Sequence, residues 1–156
     1  MFRALDGSTA LGREVQAIMD RGDLVPDEIT IRMIRERLDE DDAQAGFILD
    51  GFPRNLAQAE ALDEMLAEIG RALHVILFFE LDDATATERV LGRAREEGRA
   101  DDAQETIARR LALYHEQTEP VVEHYRTTGK LVPLHAARPV DEVQAEIQSA
   151  LELVRA

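Results

Sequence analysis

The 156-residue chain contains no cysteine. That excludes disulfides, thiolate zinc sites and thiol nucleophiles together. Tryptophan is absent too, and only two Tyr and five Phe are present, too few for the aromatic platform on which single-stranded nucleic acid stacks. Positive charge is scarce: 18 Lys and Arg face 32 Asp and Glu, for a formal charge of −14. This balance disfavours broad binding to nucleic acid or to an anionic membrane. No run approaches the roughly 18 apolar residues that a membrane span requires. The opening Met1-Phe2-Arg3-Ala4-Leu5-Asp6 lacks the apolar core of a signal peptide, so a cytoplasmic location is the expectation.

What is present is a globular mixture, 45% hydrophobic and 32% charged, in the size range of one domain. Leu11, Val15, Ile18 and Met19 fall at helical spacing between a Ser8 or Thr9 cap and Gly22. A second helix is expected from Pro26 or Asp27 to about Leu38, with Ile31, Ile34 and Leu38 on one stripe. The acidic run at 39–42 reads as a solvated loop. The apolar run 46–50 predicts a buried strand that meets a turn at Gly51. Leu62, Met65, Leu66 and Ile69 predict a helix from about Leu56 to Gly70. The nearly continuous apolar run 74–81 predicts a strand buried on both faces.

Beyond it, Asp82 or Asp83 caps a helix carrying Ala86, Val90 and Ala94. Another helix with Ile107, Leu111 and Tyr114 runs on to a break or kink at Pro120. The 131–135 segment is a weaker strand in which Pro133 argues for an edge or irregular position. Val140, Val143, Ile147, Leu151 and Val154 predict a closing amphipathic helix. Strands alternating with helices imply an α/β fold, with a parallel sheet covered by helices on both faces.

Two constellations carry chemistry. In Asp50-Gly51-Phe52-Pro53-Arg54, at a strand's carboxyl end, Gly51 lets a ligand approach the backbone. Arg54 offers a planar fork to phosphate, and Asp50 could hold the water shell of a hard cation. A capped strand–turn–helix with a surface arginine would read the same way. The second is an arginine focus: Arg89, Arg93, Arg95, Arg99, Arg109 and Arg110 place six of the seventeen arginines within 22 residues. In so acidic a chain this suits a polyanionic phosphate substrate. Ion pairs with Glu88, Glu96, Glu97 and Glu105 on helix surfaces are the competing explanation. The four histidines and the serines form no metal or triad pattern.

The strings Gly22-Asp23-Leu24-Val25-Pro26, Asp50-Gly51-Phe52-Pro53-Arg54 with Gln58, and Gly98-Arg99-Ala100-Asp101-Asp102 with Arg109-Arg110, in this order and spacing, resemble the adenylate kinase family along the whole chain. The resemblance implies the reaction ATP + AMP ⇌ 2 ADP, with Mg²⁺ accompanying ATP. It implies that Arg3 and Arg54 bind the AMP phosphate, that Leu24, Val25 and Gly51 contact AMP, and that Gln58 reads its adenine. Arg89 would pack on the ATP adenine and Arg138 would lie near it. Arg93, Arg99 and Arg110 would stabilise the transferring phosphoryl group, with Arg54, Arg99 and Arg110 reaching the AMP side. Asp50 would orient the magnesium's water shell, and Asp101 and Asp102 would organise the lid hinge.

The resemblance also assigns AMP-binding helices to about 8–40 and a short lid to about 93–102, a form without zinc. ATP, AMP and ADP are the partners it implies, with neither nucleic acid nor membrane. The family's opening strand, glycine-rich phosphate loop (P-loop), first helix and second strand have no counterpart in these residues. Gly129-Lys130 is followed by Leu131, and so does not supply the loop. The expectation is therefore a three-layer, P-loop-kinase-like sheet without its central strand, rearranged or self-associated through exposed strand edges, with weakened activity. A non-catalytic nucleotide-binding remnant that self-associates is the alternative.

Overall fold

The computed structural model describes residues 10–20, 25–97 and 104–155. The expected Ser8 or Thr9 cap and the Gly22 stop lie outside them. Contacts divide the chain into two units: Met1–Pro53 with Ala57–Gly70, and Arg54–Leu56 with Arg71–Ala156.

The first unit is helical. Helix α1 spans Ala10–Asp20, α2 spans Asp27–Leu38 and α3 spans Leu56–Glu68. Leu11 and Val15 of α1, Leu38 of α2, and Ala59, Leu62, Met65 and Leu66 of α3 are buried, so helical spacing turns one apolar stripe of each helix inward. Pro26 precedes α2, where its missing N–H is no loss, and Asp27 and Glu28 complement the dipole of the first turn. The acidic run at 39–42 is tied rather than loose. The Arg37 guanidinium donates to both Asp42 carboxylate oxygens at 2.7 and 2.9 Å, across a short 3-10 turn at Asp41–Ala43. Gly70, in the left-handed region with φ +67°, closes α3 by donating its N–H to the Ala67 carbonyl.

The second unit contains the sheet. Strand β1 spans Ile76–Glu80 and pairs in parallel with β2, Leu131–His135, in the register Ile76↔Leu131 to Glu80↔His135. Between them run α4 (Asp83–Glu97), α5 (Gln104–Leu113), a π-helical turn (Tyr114–Thr118) and α6 (Glu119–Arg126), and α7 (Val140–Arg155) follows β2. Ile107, Val121, Tyr125, Leu134 and Ala150 form its core. Asp82, not Asp83, caps α4, accepting from the Thr85 N–H at 2.9 Å and the Thr85 hydroxyl at 2.7 Å. These bonds favour the charged carboxylate and hold its pKa below the usual value.

Pro120 does not break the chain's helical course. A proline lacks an N–H and crowds the carbonyl four residues back, and the widened turn just before α6 accommodates that conflict. Pro133 sits where the ladder tolerates it. Ile76 donates to the Lys130 carbonyl and Ala136 to the Glu80 carbonyl. The alternation this sets turns the backbone of Pro133 away from β1, so its missing N–H leaves no β1 acceptor unmet.

Four expectations are corrected. Residues 46–50 form no strand: they are irregular, with Phe47 and Leu49 half-buried and Ile48 95% exposed. An extended apolar run becomes a strand only when another backbone completes its ladder, and among the described residues the only ladder is that of the two-stranded sheet described above. The sheet therefore has two strands rather than three. The run 74–81 is shorter as a strand and is not buried on both faces, since Phe79 is 50% exposed and Glu80 is exposed. On α7, Val140 is 82% exposed, and burial moves to Ala150, with Val143, Glu146 and Ile147 partly covered.

Candidate functional site

In the first unit, the turn at the end of the 46–50 segment places Asp50 and Gly51 at the surface, with Gly51 at φ +69°, a conformation that favours glycine. Phe52 is buried and anchors this turn. Gln58, on the first turns of α3, is a buried polar side chain at 6% exposure. Its amide donates to a carboxylate oxygen of Asp27, which joins it to the segment that begins with Val25. Two parts of the expected AMP region, 31 residues apart in sequence, are thus brought together within this unit.

In the second unit, the arginines stand on two helices that pack against each other, Arg89, Arg93 and Arg95 on α4 and Arg109 and Arg110 on α5, all exposed. The Arg89 guanidinium is held as a fork, donating to the Ala136 carbonyl at 2.7 Å and to the Ala137 carbonyl at 3.2 Å. Arg138, in the same turn, donates to Glu146 at 2.9 Å. Arg54 is exposed, and its backbone carbonyl accepts the Thr118 hydroxyl at 2.7 Å. Arg3, Leu24, Arg99, Asp101 and Asp102 lie outside the described residues, as does the 98–102 portion of the expected lid.

A separate concavity of about 460 Å³ in this unit is lined by Phe78, Tyr114, His115 and Glu119 among others, and by none of the arginines singled out above. Within it, His115 bridges Asp83 at 3.0 Å and Glu119 at 3.1 Å. Hydrogen bonds to Glu119 and Asp83 raise its pKa, while burial raises that of Tyr114. No group of three or more His, Asp or Glu side chains is arranged to hold a metal ion among the described residues.

A family model described as adenylate kinase matches residues 1–130. The chain is 54% identical over 153 residues to an adenylate kinase of Thermobifida fusca, covering 97% of this chain and 81% of that protein. It is 46% identical over 157 residues to one of Pseudarthrobacter chlorophenolicus, covering 100% and 82%. A third, from Stenotrophomonas maltophilia, is 42% identical over 153 residues, covering 97% and 82%.

The chain belongs to the adenylate kinase family. It is a phosphotransferase enzyme, of the nucleoside monophosphate kinase class. Among the described residues, no helix is long and apolar enough to cross a membrane. Against the family's strings, the sequence reading missed Asp27 as the partner of Gln58, Thr118 as the partner of Arg54 and Glu146 as the partner of Arg138. The last two contacts span 64 and 8 residues, and none carries a local signal. Pro120, an unusual residue inside a helical pattern, was the one pointer to the π-helical turn that delivers Thr118.

Proposed function

We propose that this chain transfers the γ-phosphoryl group of magnesium-bound ATP to AMP, giving two ADP. The observation that carries this reading is the arginine set of the second unit: exposed guanidinia on two packed helices of an acidic chain, with Arg89 held in a fixed fork. An AMP phosphate oxygen forms a bond to the γ-phosphorus as the bond from that phosphorus to the β–γ bridging oxygen breaks, and the departing ADP keeps that electron pair. No protein group need gain or lose a proton. The work is therefore positioning and charge stabilisation.

In this reading Arg54 holds the AMP phosphate with a bidentate fork, beside Arg3. Val25, Leu24, Gly51 and Gln58 line the AMP base and ribose. Arg93, Arg99 and Arg110 spread the charge of the group in flight, and Asp101 and Asp102 serve the lid hinge. Bound Mg²⁺ neutralises phosphate charge.

The test is ADP formation from ATP, AMP and Mg²⁺ by the purified chain, beside Arg110→Ala prepared identically. Turnover in the parent and its loss in the variant support the reading. Equal rates, or none in either, refute it in favour of a nucleotide-binding protein without turnover.

Self-association is the second part of the proposal, and its support is the edge of β1 that pairs with no strand among the described residues. The alternation that directs Ile76, Phe78 and Glu80 toward β2 leaves the backbone groups of Leu77 and Phe79 facing the other side. A second copy pairing along this edge gives a sedimentation mass above that of one 156-residue chain, and Phe79→Lys lowers it. A single-chain mass at every concentration refutes it.

A further inference from the structure

The turn that receives Arg89 is itself held from one side by a single carboxylate. Glu146, on α7 and partly covered, accepts the backbone N–H of His135 at 2.9 Å on one oxygen. On the other it accepts Arg138 at 2.9 Å and meets His135 Nδ1 at 3.2 Å. The turn closes on itself through the Arg138 N–H and the His135 carbonyl at 3.1 Å, and it is tied to the end of β1 by the Ala136 N–H on the Glu80 carbonyl at 3.0 Å. Its two outward carbonyls, Ala136 and Ala137, are the pair that accept the Arg89 fork.

Charge-assisted hydrogen bonds are roughly twice as strong as neutral ones, so the anchors converging on one carboxylate make Glu146 the stiffest support of the turn on the α7 side. The Arg89 fork has fixed geometry. It can engage two successive carbonyls only if both are presented at a set spacing and angle. Moving the turn therefore moves the plane of the guanidinium, which is the flat surface a nucleotide base would lie on.

We propose that Glu146 is a positioning residue for the ATP base: it fixes the 135–138 turn, the turn fixes the Arg89 plane, and that plane sets affinity for ATP without altering affinity for AMP. The inference rests on the kinase reading above, in which Arg89 packs on the ATP adenine. It adds the residue that orients Arg89, which touches no nucleotide itself.

The experiment uses the full chain in three variants, Glu146→Ala, Glu146→Gln and Arg89→Ala, with the dissociation constants of ATP and AMP, the melting temperature, and the side-chain Nε–H resonance of Arg89 as readouts. Glu146→Ala is expected to weaken ATP about tenfold, the scale of one lost hydrogen bond, with AMP within about twofold. The Arg89 resonance should shift and exchange faster with solvent. Glu146→Gln keeps one acceptor oxygen for the turn and loses the charge, so it should recover part of the ATP affinity.

An unchanged Arg89 resonance in Glu146→Ala overturns the proposal whatever the chain binds. So does an equal loss of ATP and AMP affinity accompanied by a fallen melting temperature, which marks a merely structural role. ATP binding that weakens in Arg89→Ala but not in Glu146→Ala overturns the proposal and leaves the kinase reading standing. A parent that binds no ATP overturns both the kinase reading and the ATP role, and is recognised by the parent alone.

Discussion

The hydroxyl of Thr118 donates to the backbone carbonyl of Arg54 at 2.7 Å, a contact between residues 64 apart in sequence. Thr118 ends a π-helical turn, and one extra residue in that turn rotates everything after it relative to a regular helix. The extra residue relieves the conflict at Pro120 and at the same time delivers a hydroxyl to the backbone of the arginine expected to grip the AMP phosphate.

Thr118→Val retains the branched shape and removes the donor. The expected outcome is a rise of about threefold to tenfold in KM for AMP, in keeping with one neutral hydrogen bond, with KM for ATP unchanged. Thr118→Ser should restore the parent value. Steady-state kinetics with each nucleotide varied in turn checks it, and a Thr118→Val variant with parental AMP kinetics argues that the Arg54 backbone is held well enough without the hydroxyl.

Arg54→Ala is expected to lower turnover by on the order of 10²–10³. Arg54→Lys should recover little of it, because an ammonium cannot form two parallel bonds to one phosphate. A lysine variant with near-parental activity would show that charge alone suffices at this position.

His115 provides a pH test. Its raised pKa arises from hydrogen bonds to Glu119 and then Asp83, so the protonated ring ties the first turn of α4 to α6 most strongly. A group whose folded pKa is raised contributes stability fully below its unfolded value, about 6.5, and loses it as pH rises through the folded value. The melting temperature of the parent should therefore exceed that of His115→Gln most clearly in mild acid, and the gap should narrow toward alkaline pH. Glu146 works in the opposite direction. The His135 N–H is the main cause of its lowered pKa, so its contribution holds above the ordinary carboxylate value and is lost in acid. A gap for His115→Gln that is constant with pH would place the role of that ring in packing alone.

Leu62 is fully buried on α3 among Ala59, Met65 and Leu66. Leu62→Ala should destabilise the first unit by about 3 kcal/mol, within the range for deleting a buried leucine side chain, read as a shift in the urea midpoint of helical circular dichroism. A shift of less than about 1 kcal/mol would mean that the site collapses around the smaller residue.

The helices of the first unit were legible because their information is local. The stripe of Leu62, Met65 and Leu66 is buried as its spacing requires, and Gly70 stops the helix as a glycine in the left-handed region does. Ile69, one step past the last turn, is exposed instead, because a stripe ends where the helix ends. The strand expected at 46–50 failed for the opposite reason. Its residues have the right composition, but a strand belongs to the pair and not to the segment. The candidate site divides along the same line. Arg54, Arg89 and Arg110 announce themselves through type and spacing, whereas Thr118, Asp27 and Glu146 matter only through contacts that the fold creates.

The β1–β2 pairing has a further consequence for how the chain reaches its structure. Partners in the register lie 55 residues apart, so the apolar segment Ile76–Phe79 leaves the ribosome well before the strand that covers one of its edges. At ordinary synthesis rates of roughly 5–20 residues per second, this segment waits on the order of several seconds for its partner. During that interval the intervening helices can form from local contacts, while the ladder must wait for loop closure. The sheet that positions Arg89 and its turn is therefore specified after the helices between its strands, and is the part most exposed to competing strands while it forms.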